Sequence, residues 1–488
     1  MQLLKSLLKS QTTYKVAFAF LIIYVGLRAA LVNMTHDEAW SFHNVKNFWY
    51  VEFLCTGNSH WLNSLGMKLS LILGSETVFC LRWLSIISFI LTCCFGLWWI
   101  KSLENTSIKL LAFCLIFLNP YLLDYFGLAR GYASGIMFQC LSILFFIRGI
   151  SNHNRLTLFS ALAFSGLSAI SNYSFVYFYF GFALVYFFEL YFKNGITFLK
   201  NRSFYIDLFF TLGITSLIIR AFVFMIRCSG DFIGAGEPSF LSMFHVFSDG
   251  LLYYKITFSK LTQYGISLLV SIIAAVSCFY GIFKKKEHLN NLFYYVSLIL
   301  TIMLITMVVN YFCFHIVYPF YRAAQLLFIP VYIVVVSLIN FKLSSNKFIA
   351  PGIFAFCFLL IINFTLSANL KYTFDFKEQA DSESCFNIVE KLNAKKVGIS
   401  PELYGVFANY YQMSETKRYP FVGDFINTWW PQGFCPIKNK LTEFDYIILF
   451  PPYDLSYYKN TEVQFEVIHL SPTTKTLILK VEKKPLRP

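Results

Sequence analysis

Charged residues are scarce in this sequence: 14% of its 488 positions are Asp, Glu, Lys or Arg, where soluble globular domains carry about 25%. That scarcity excludes a chain wetted by water over its whole surface. Acidic residues are the rarer sign, 26 against 40 Lys and Arg, which leaves a net charge of +14. The basic residues flank apolar runs and form no basic domain, so nucleic acid is not an expected partner. No convincing Gly-rich phosphate loop is present, which removes the usual nucleotide-binding fold. The 12 cysteines show no metal-ligand spacing. Most of them, including Cys93, Cys94, Cys114 and Cys140, lie in apolar segments as small hydrophobes.

What the sequence has instead is 57% apolar and 20% aromatic residues, gathered into runs of roughly twenty, the length that crosses about 30 Å of hydrocarbon. About eleven spans are expected, at 14–32, 79–100, 108–125, 131–150, 156–170, 173–192, 204–226, 264–283, 292–312, 323–341 and 348–367. Lys5, Lys9 and Lys15 before the first run imitate a signal peptide without a small-residue cleavage site, and the run is read as a retained span. With a cytoplasmic N-terminus, the short loops holding Arg148, Arg155, Lys193, Lys200, Arg202, Lys284, Lys285, Lys286 and Lys342 all fall inside. The longer, charge-poor loops 33–78 and 227–263 then fall outside, as does everything beyond Leu370.

From about residue 371 the composition becomes water-soluble. A helix is expected at 382–395, strands at 396–399 and 446–450, and a hairpin from 465–470 and 476–481 around Ser471-Pro472. The expected fold class is thus an all-α polytopic membrane domain over 1–370 and a small extracytoplasmic α/β domain over 371–488. Cys385 and Cys435 either pair in an oxidising compartment or remain free thiols. Trp429 and Trp430 fit membrane anchors, core aromatics or a sugar-stacking surface.

Chemistry is expected where ionisable residues meet the membrane boundary. His36-Asp37-Glu38 directly follows span one and offers two carboxylates and an imidazole, either as a helix start or as a catalytic group. Residues 58–73 fit an amphipathic surface helix with Leu62, Leu65, Leu69, Ile72 and Leu73 on one side and His60, Asn63 and Met67 on the other. Asn119-Pro120-Tyr121, Asp124, Arg130, Gly131 and Tyr132 form a turn between spans three and four, in which Arg130 either pairs with Asp124 or grips a phosphate with its planar fork. His315, Tyr318, Tyr321 and Arg322 form a later turn with the same ambiguity.

At these residues the chain resembles the GT-C class of integral membrane glycosyltransferases, the group that includes protein O-mannosyltransferases and lipid A aminoarabinose transferases. The resemblance is carried by Asp37-Glu38, the stretch Asn58-Ser59-His60-Trp61-Leu62-Asn63, the turn from Asn119-Pro120 to Arg130-Gly131-Tyr132, and Tyr318-Pro319-Phe320-Tyr321-Arg322. It implies inverting transfer of one sugar from a polyprenyl-phosphate donor, entering from membrane lipid, to an extracytoplasmic acceptor that is lipid, glycan or protein. Under it, Asp37 and Glu38 are the expected catalytic residues, with Asp37 the base. Arg130 and Arg322 bind the donor phosphate, and His36, His60, Asn63, Tyr132 and Tyr318 contact acceptor or sugar. Some relatives use a divalent metal; the first outer loop has no Asp-x-Asp, and no metal or other cofactor is expected. Two rivals remain: a polymerase or ligase of lipid-linked oligosaccharides, which Arg322 keeps open, and a lipid or solute transporter, which an internal repeat of spans would favour.

Overall fold

The computed structural model describes residues 10–47, 60–228, 236–253, 260–283, 291–342, 349–416, 418–425, 427–428, 435–436, 438–451 and 463–483. Asn58, Lys284, Lys285, Lys286, Trp429, Trp430 and the side chain of Cys435 lie outside the described residues.

The helices follow the apolar runs: α1 Gln11–Leu31, α2 His36–Asn47, α3 Trp61–Ile72, α4 Trp83–Ser102, α5 Thr106–Phe117, α6 Pro120–Phe126, α7 Gly131–Ser151 and α8 Arg155–Ser171. They continue as α9 Val176–Asn194, α10 Arg202–Cys228, α11 Lys260–Phe283, α12 Asn291–Phe314, α13 Phe328–Lys342, α14 Ile349–Ser367 and α15 Ser382–Lys391. Among the described residues nine helices are long and apolar enough to cross a membrane, or ten if the bent pair α5 and α6 is one span. Helix α8 is apolar but only 17 residues long. With it, each of the eleven expected runs has a helical counterpart.

Large apolar side chains stand exposed along these helices, among them Phe209 at 80% and Phe312 at 71%. In water such a surface aggregates, whereas in hydrocarbon it is the solvated face. The chain is an integral membrane protein. The third span bends by 54° between Phe117 and Pro120. Proline has no N–H to continue the ladder, and Asn119 caps the new helix by accepting from the Leu122 N–H at 3.1 Å.

The chain divides into two compact bodies: Met1–Leu27, Tyr50–Gly66 and Arg82–Ala368, and Arg28–Trp49, Met67–Leu81 and Asn369–Pro488. In the first, small residues let the spans approach: the Ser168 hydroxyl on α8 donates to the Gly135 carbonyl on α7 at 2.8 Å. One buried charge inside this body is paired. Asp207 on α10, fully buried, accepts from Arg155 and from the Tyr186 hydroxyl, the latter at 2.8 Å.

In the second body, β1 Lys396–Ile399, β2 Val422–Phe425, β3 Tyr446–Leu449, β4 Val463–Leu470 and β5 Leu477–Lys483 form a five-stranded sheet in the order β2-β1-β3-β5-β4. β1 is parallel to both β2 and β3, while β5 is antiparallel to β3 and β4. Alternation in β3 and β5 puts Ile447, Leu449, Leu477 and Leu479 into one apolar cluster with Leu441, Phe444 and Val463. A second core is aromatic, with Phe386, Phe407, Tyr411, Tyr419 and Phe421 in ring contact. Cys385, beside Phe386, is a free buried thiol, and burial pushes it up to about 12.

The sheet does not form this body alone. The Arg28 guanidinium at the end of α1, 1% exposed, donates to the carbonyls of Asn369 and Tyr372, the latter at 2.8 Å. The Glu76 carboxylate accepts from Lys46 Nζ at 2.5 Å, the Ser414 hydroxyl at 3.1 Å and the Glu415 N–H at 2.7 Å. Burial alone would raise the Glu76 pKa, but these donors and the Lys46 charge more than reverse it, leaving the carboxyl below its ordinary value. Asp381 is lowered likewise: burial raises it, and the Thr474 N–H and hydroxyl, at 2.8 and 2.9 Å, outweigh burial.

A group with a depressed folded pKa adds stability that is complete above the unfolded value of about 4 and is lost as pH falls through the folded value. Protection of residues 410–416 against hydrogen exchange, taken relative to the free-chain rate at each pH, is therefore expected to fall as pH drops below about 4. Glu76→Gln should remove part of that acid dependence while raising exchange at neutral pH. An unchanged acid limb in this variant would show that the clamp contributes nothing there.

Candidate active site

Thr35-His36-Asp37-Glu38 opens α2 as a capping box. The Glu38 carboxylate accepts from the Thr35 N–H and hydroxyl, both at 3.0 Å, and the Thr35 hydroxyl accepts from the Glu38 N–H at 3.3 Å. Glu38, fully buried, thus has a structural task at the helix start. Asp37, one residue earlier, is 8% exposed and is not the cap. His36 donates its backbone N–H to Gln379 Oε1 at 2.6 Å, and its ring packs on Gly405, where a Cβ would lie 2.0 Å from Nδ1. All three belong to the second body.

The geometry predicts unequal costs at Glu38. Alanine there should lower thermal stability by about 1 kcal/mol, and Glu38→Gln, which can still complete a capping box, by much less. Thermal unfolding of the purified variants in detergent decides this; equal losses for Ala and Gln would assign the carboxylate another role.

In the first body, His60 and Asn63 lie beside the turn that carries Arg130 and Tyr132. From His60 through α3, whose residues from Met67 onward belong to the second body, Leu65, Leu69 and Ile72 are exposed and His60, Asn63 and Met67 are buried, as the amphipathic pattern predicts. The Asn63 amide donates to the Ala129 carbonyl at 2.6 Å. The His60 and Tyr132 rings lie 5.5 Å apart, and Tyr125 stands 4.8 Å from Tyr132. Asn63 and His60 thereby brace the turn carrying Arg130. Asp124 accepts from the Tyr253 hydroxyl at 2.9 Å.

Gly131 is the tightest point of this turn. A Cβ there would meet the Ser171 carbonyl oxygen at 1.9 Å and His60 Nδ1 at 2.9 Å. Backbone cannot swing aside as a long side chain can, so Gly131→Ala should cost about 3 kcal/mol or more and sharply reduce the yield of folded protein. Near-normal yield and melting in detergent would show that α7 and α8 can separate there.

Arg130, 2% exposed, precedes α7, and Arg82, fully buried, precedes α4; neither helix start has a side-chain cap bond. The Ser85 hydroxyl in the first turn of α4 donates to the Leu128 carbonyl at 2.5 Å, tying the two helix starts together. Cations at the positive ends of two helices oppose the macrodipole, and an anion received there would match both the guanidinium groups and the helix-start dipoles. Arg82 was not among the expected site residues, since a basic residue at a span end reads as an orientation signal.

The second expected arginine turn is built differently. Tyr318 pairs in a two-residue ladder with Glu237, and its ring stacks on Tyr311 at 4.8 Å. Arg322 lies in the 3-10 turn Tyr321–Leu327 and is half-buried. That turn meets α7 through Gln139, whose amide donates to the Leu326 carbonyl at 2.9 Å. Among the described residues no group of three or more His, Cys, Asp or Glu could hold a metal ion.

Together these features define a polytopic α-helical membrane protein with buried arginines at converging helix starts and a sheet-containing body that includes the acidic helix α2. No family model and no curated protein matches the sequence. Among solved structures, the chain is similar to ArnT from Cupriavidus metallidurans in the apo state, with 11% identity and a TM-score of 0.43 over 95% of this chain and 96% of that one. It is also similar to ArnT from the same organism bound to undecaprenyl phosphate, with 10% identity and a TM-score of 0.46 over 96% and 98% of the two chains.

Proposed function

We propose that the protein transfers a monosaccharide, with inversion, from a polyprenyl-phosphate donor to an acceptor on the extracytoplasmic side of the membrane. The observation that carries this reading is the pair Arg82 and Arg130, buried at two helix starts joined through Ser85 and Leu128. A phosphate on a lipid carrier reaches such a site from the bilayer. As the bond between the anomeric carbon and the phosphate oxygen breaks, charge gathers on the leaving phosphate, and the two guanidinium groups stabilise it.

The acceptor oxygen forms the new bond from the opposite face, and its proton passes to Asp37. With Glu38 engaged at the cap, Asp37 is the better base of the two. Arg322 is a secondary phosphate ligand in this reading. His36, His60, Asn63, Tyr132 and Tyr318 are its sugar or acceptor contacts, and of these His60 and Asn63 also brace the Arg130 turn. The proposed orientation has the N-terminus in the cytoplasm and the sheet outside, from the excess of Lys and Arg in the short loops.

The test is the lipid fraction of cells lacking the protein. A polyprenyl-phosphate sugar should accumulate, and purified protein added to it should release polyprenyl phosphate. Normal levels of every lipid-linked sugar, together with no release in vitro, would overturn the proposal.

A further inference from the structure

The lipid-facing side of α8 and α10 carries a groove of about 650 Å³ lined by Phe159, Phe209, Phe210, Gly213 and Leu217, with Arg220 at one end. Its floor forms because Gly166 on α8 lets α10 close in: a Cβ there would lie 3.2 Å from Ile214 and 3.5 Å from Phe210. Phe159 and Phe210 meet edge-on at 5.5 Å and close the near wall. At Gly213 nothing lies within 4 Å of a Cβ position, so the groove is open along the helix.

Apart from Ser216, every other wall residue is apolar or lacks a side chain, and Arg220 is exposed, without a hydrogen bond or ion pair among the described residues. Arg220 stands 18 residues along α10 from Arg202, about 27 Å at 1.5 Å per residue. That is close to the thickness of the hydrocarbon layer. With Arg202 at one interface, Arg220 reaches the headgroup level of the opposite leaflet, while the groove runs back from it into the acyl region. A lone cation at the mouth of an apolar trough is complemented by a molecule with one anionic head and an apolar tail.

We infer that this groove holds an anionic phospholipid, its phosphate on Arg220 and an acyl chain along Leu217, Gly213 and Phe209. The groove uses none of the residues at the helix starts that carry Arg82 and Arg130, and its test does not depend on sugar transfer.

Native mass spectrometry of the full-length protein, offered equimolar phosphatidylglycerol and phosphatidylcholine, reads it out. Wild type should retain phosphatidylglycerol preferentially. Arg220→Gln, which removes the charge, and Gly213→Leu, which fills the trough and leaves Arg220 in place, should each lower that retention about ten-fold. Both changes face lipid and open space, so thermal stability should stay near wild type. Retention equal to wild type in either folded variant would overturn the site. So would displacement of phosphatidylglycerol from the wild type by an equal concentration of polyprenyl phosphate, which would make the groove a carrier site.

Discussion

Asp37→Asn is expected to lower turnover by about 10² or more while leaving expression and donor binding close to wild type, the usual size of a lost general base. The neighbouring side chains make this expectation sharper than the sequence allowed. Thr35 and Glu38 complete the cap of α2, so the helix start does not depend on Asp37. Removing its charge forfeits a first-turn dipole interaction of about 0.3–1 kcal/mol. Asparagine keeps the size and one acceptor oxygen and cannot take the acceptor's proton. Sugar transfer by the purified variant within a few-fold of wild type would end the assignment. Glu38→Gln, assayed beside it, should lose far less.

Arg130→Lys should cut kcat/KM for the lipid-linked donor by about ten- to a hundred-fold, and Arg322→Lys by clearly less. Lysine preserves the charge in both variants. What it loses at position 130 is a planar fork held at 2% exposure before α7, whose two parallel N–H donors would fix one orientation of the proposed phosphate. Arg322 is half-buried, and there water and side-chain freedom absorb more of the change. Donor kinetics equal to wild type in folded Arg130→Lys protein would remove this arginine from phosphate binding. A larger loss at Arg322 would move the donor to the later turn.

The spans were readable because run length against bilayer thickness is a strong constraint, and the kink after α5 was visible in Asn119-Pro120. In the sheet, β1, β3 and the β4–β5 hairpin lie where alternation and Ser471-Pro472 predicted them. The T-x-x-E pattern at Thr35 was equally available and marks a capping box, yet two adjacent carboxylates beside a membrane invite a chemical reading of both. Arg28 and Arg82 were not legible as site-forming residues, since the sequence carries no sign that a basic span end will be buried. Nor was it legible that residues 28–49 and 67–81 share a body with residues 369–488. Those contacts join chain segments hundreds of residues apart, and no local period reports them.

That sharing has a consequence for how the protein is made. The carbonyl of Asn369 that receives Arg28 lies 341 residues later in the chain, roughly 20–70 s of synthesis at ordinary ribosomal rates. Over that interval Arg28 waits without the carbonyls of Asn369 and Tyr372, and the Lys46–Glu76 pair without Met413, Ser414 and Glu415, while the intervening spans are inserted. The acidic helix therefore reaches its final setting among the last events of biogenesis, after the bilayer-embedded helices have formed. A ribosome that stops near residue 368 would leave spans without a completed body around Asp37, so the setting of that carboxylate is tied to completion of the polypeptide.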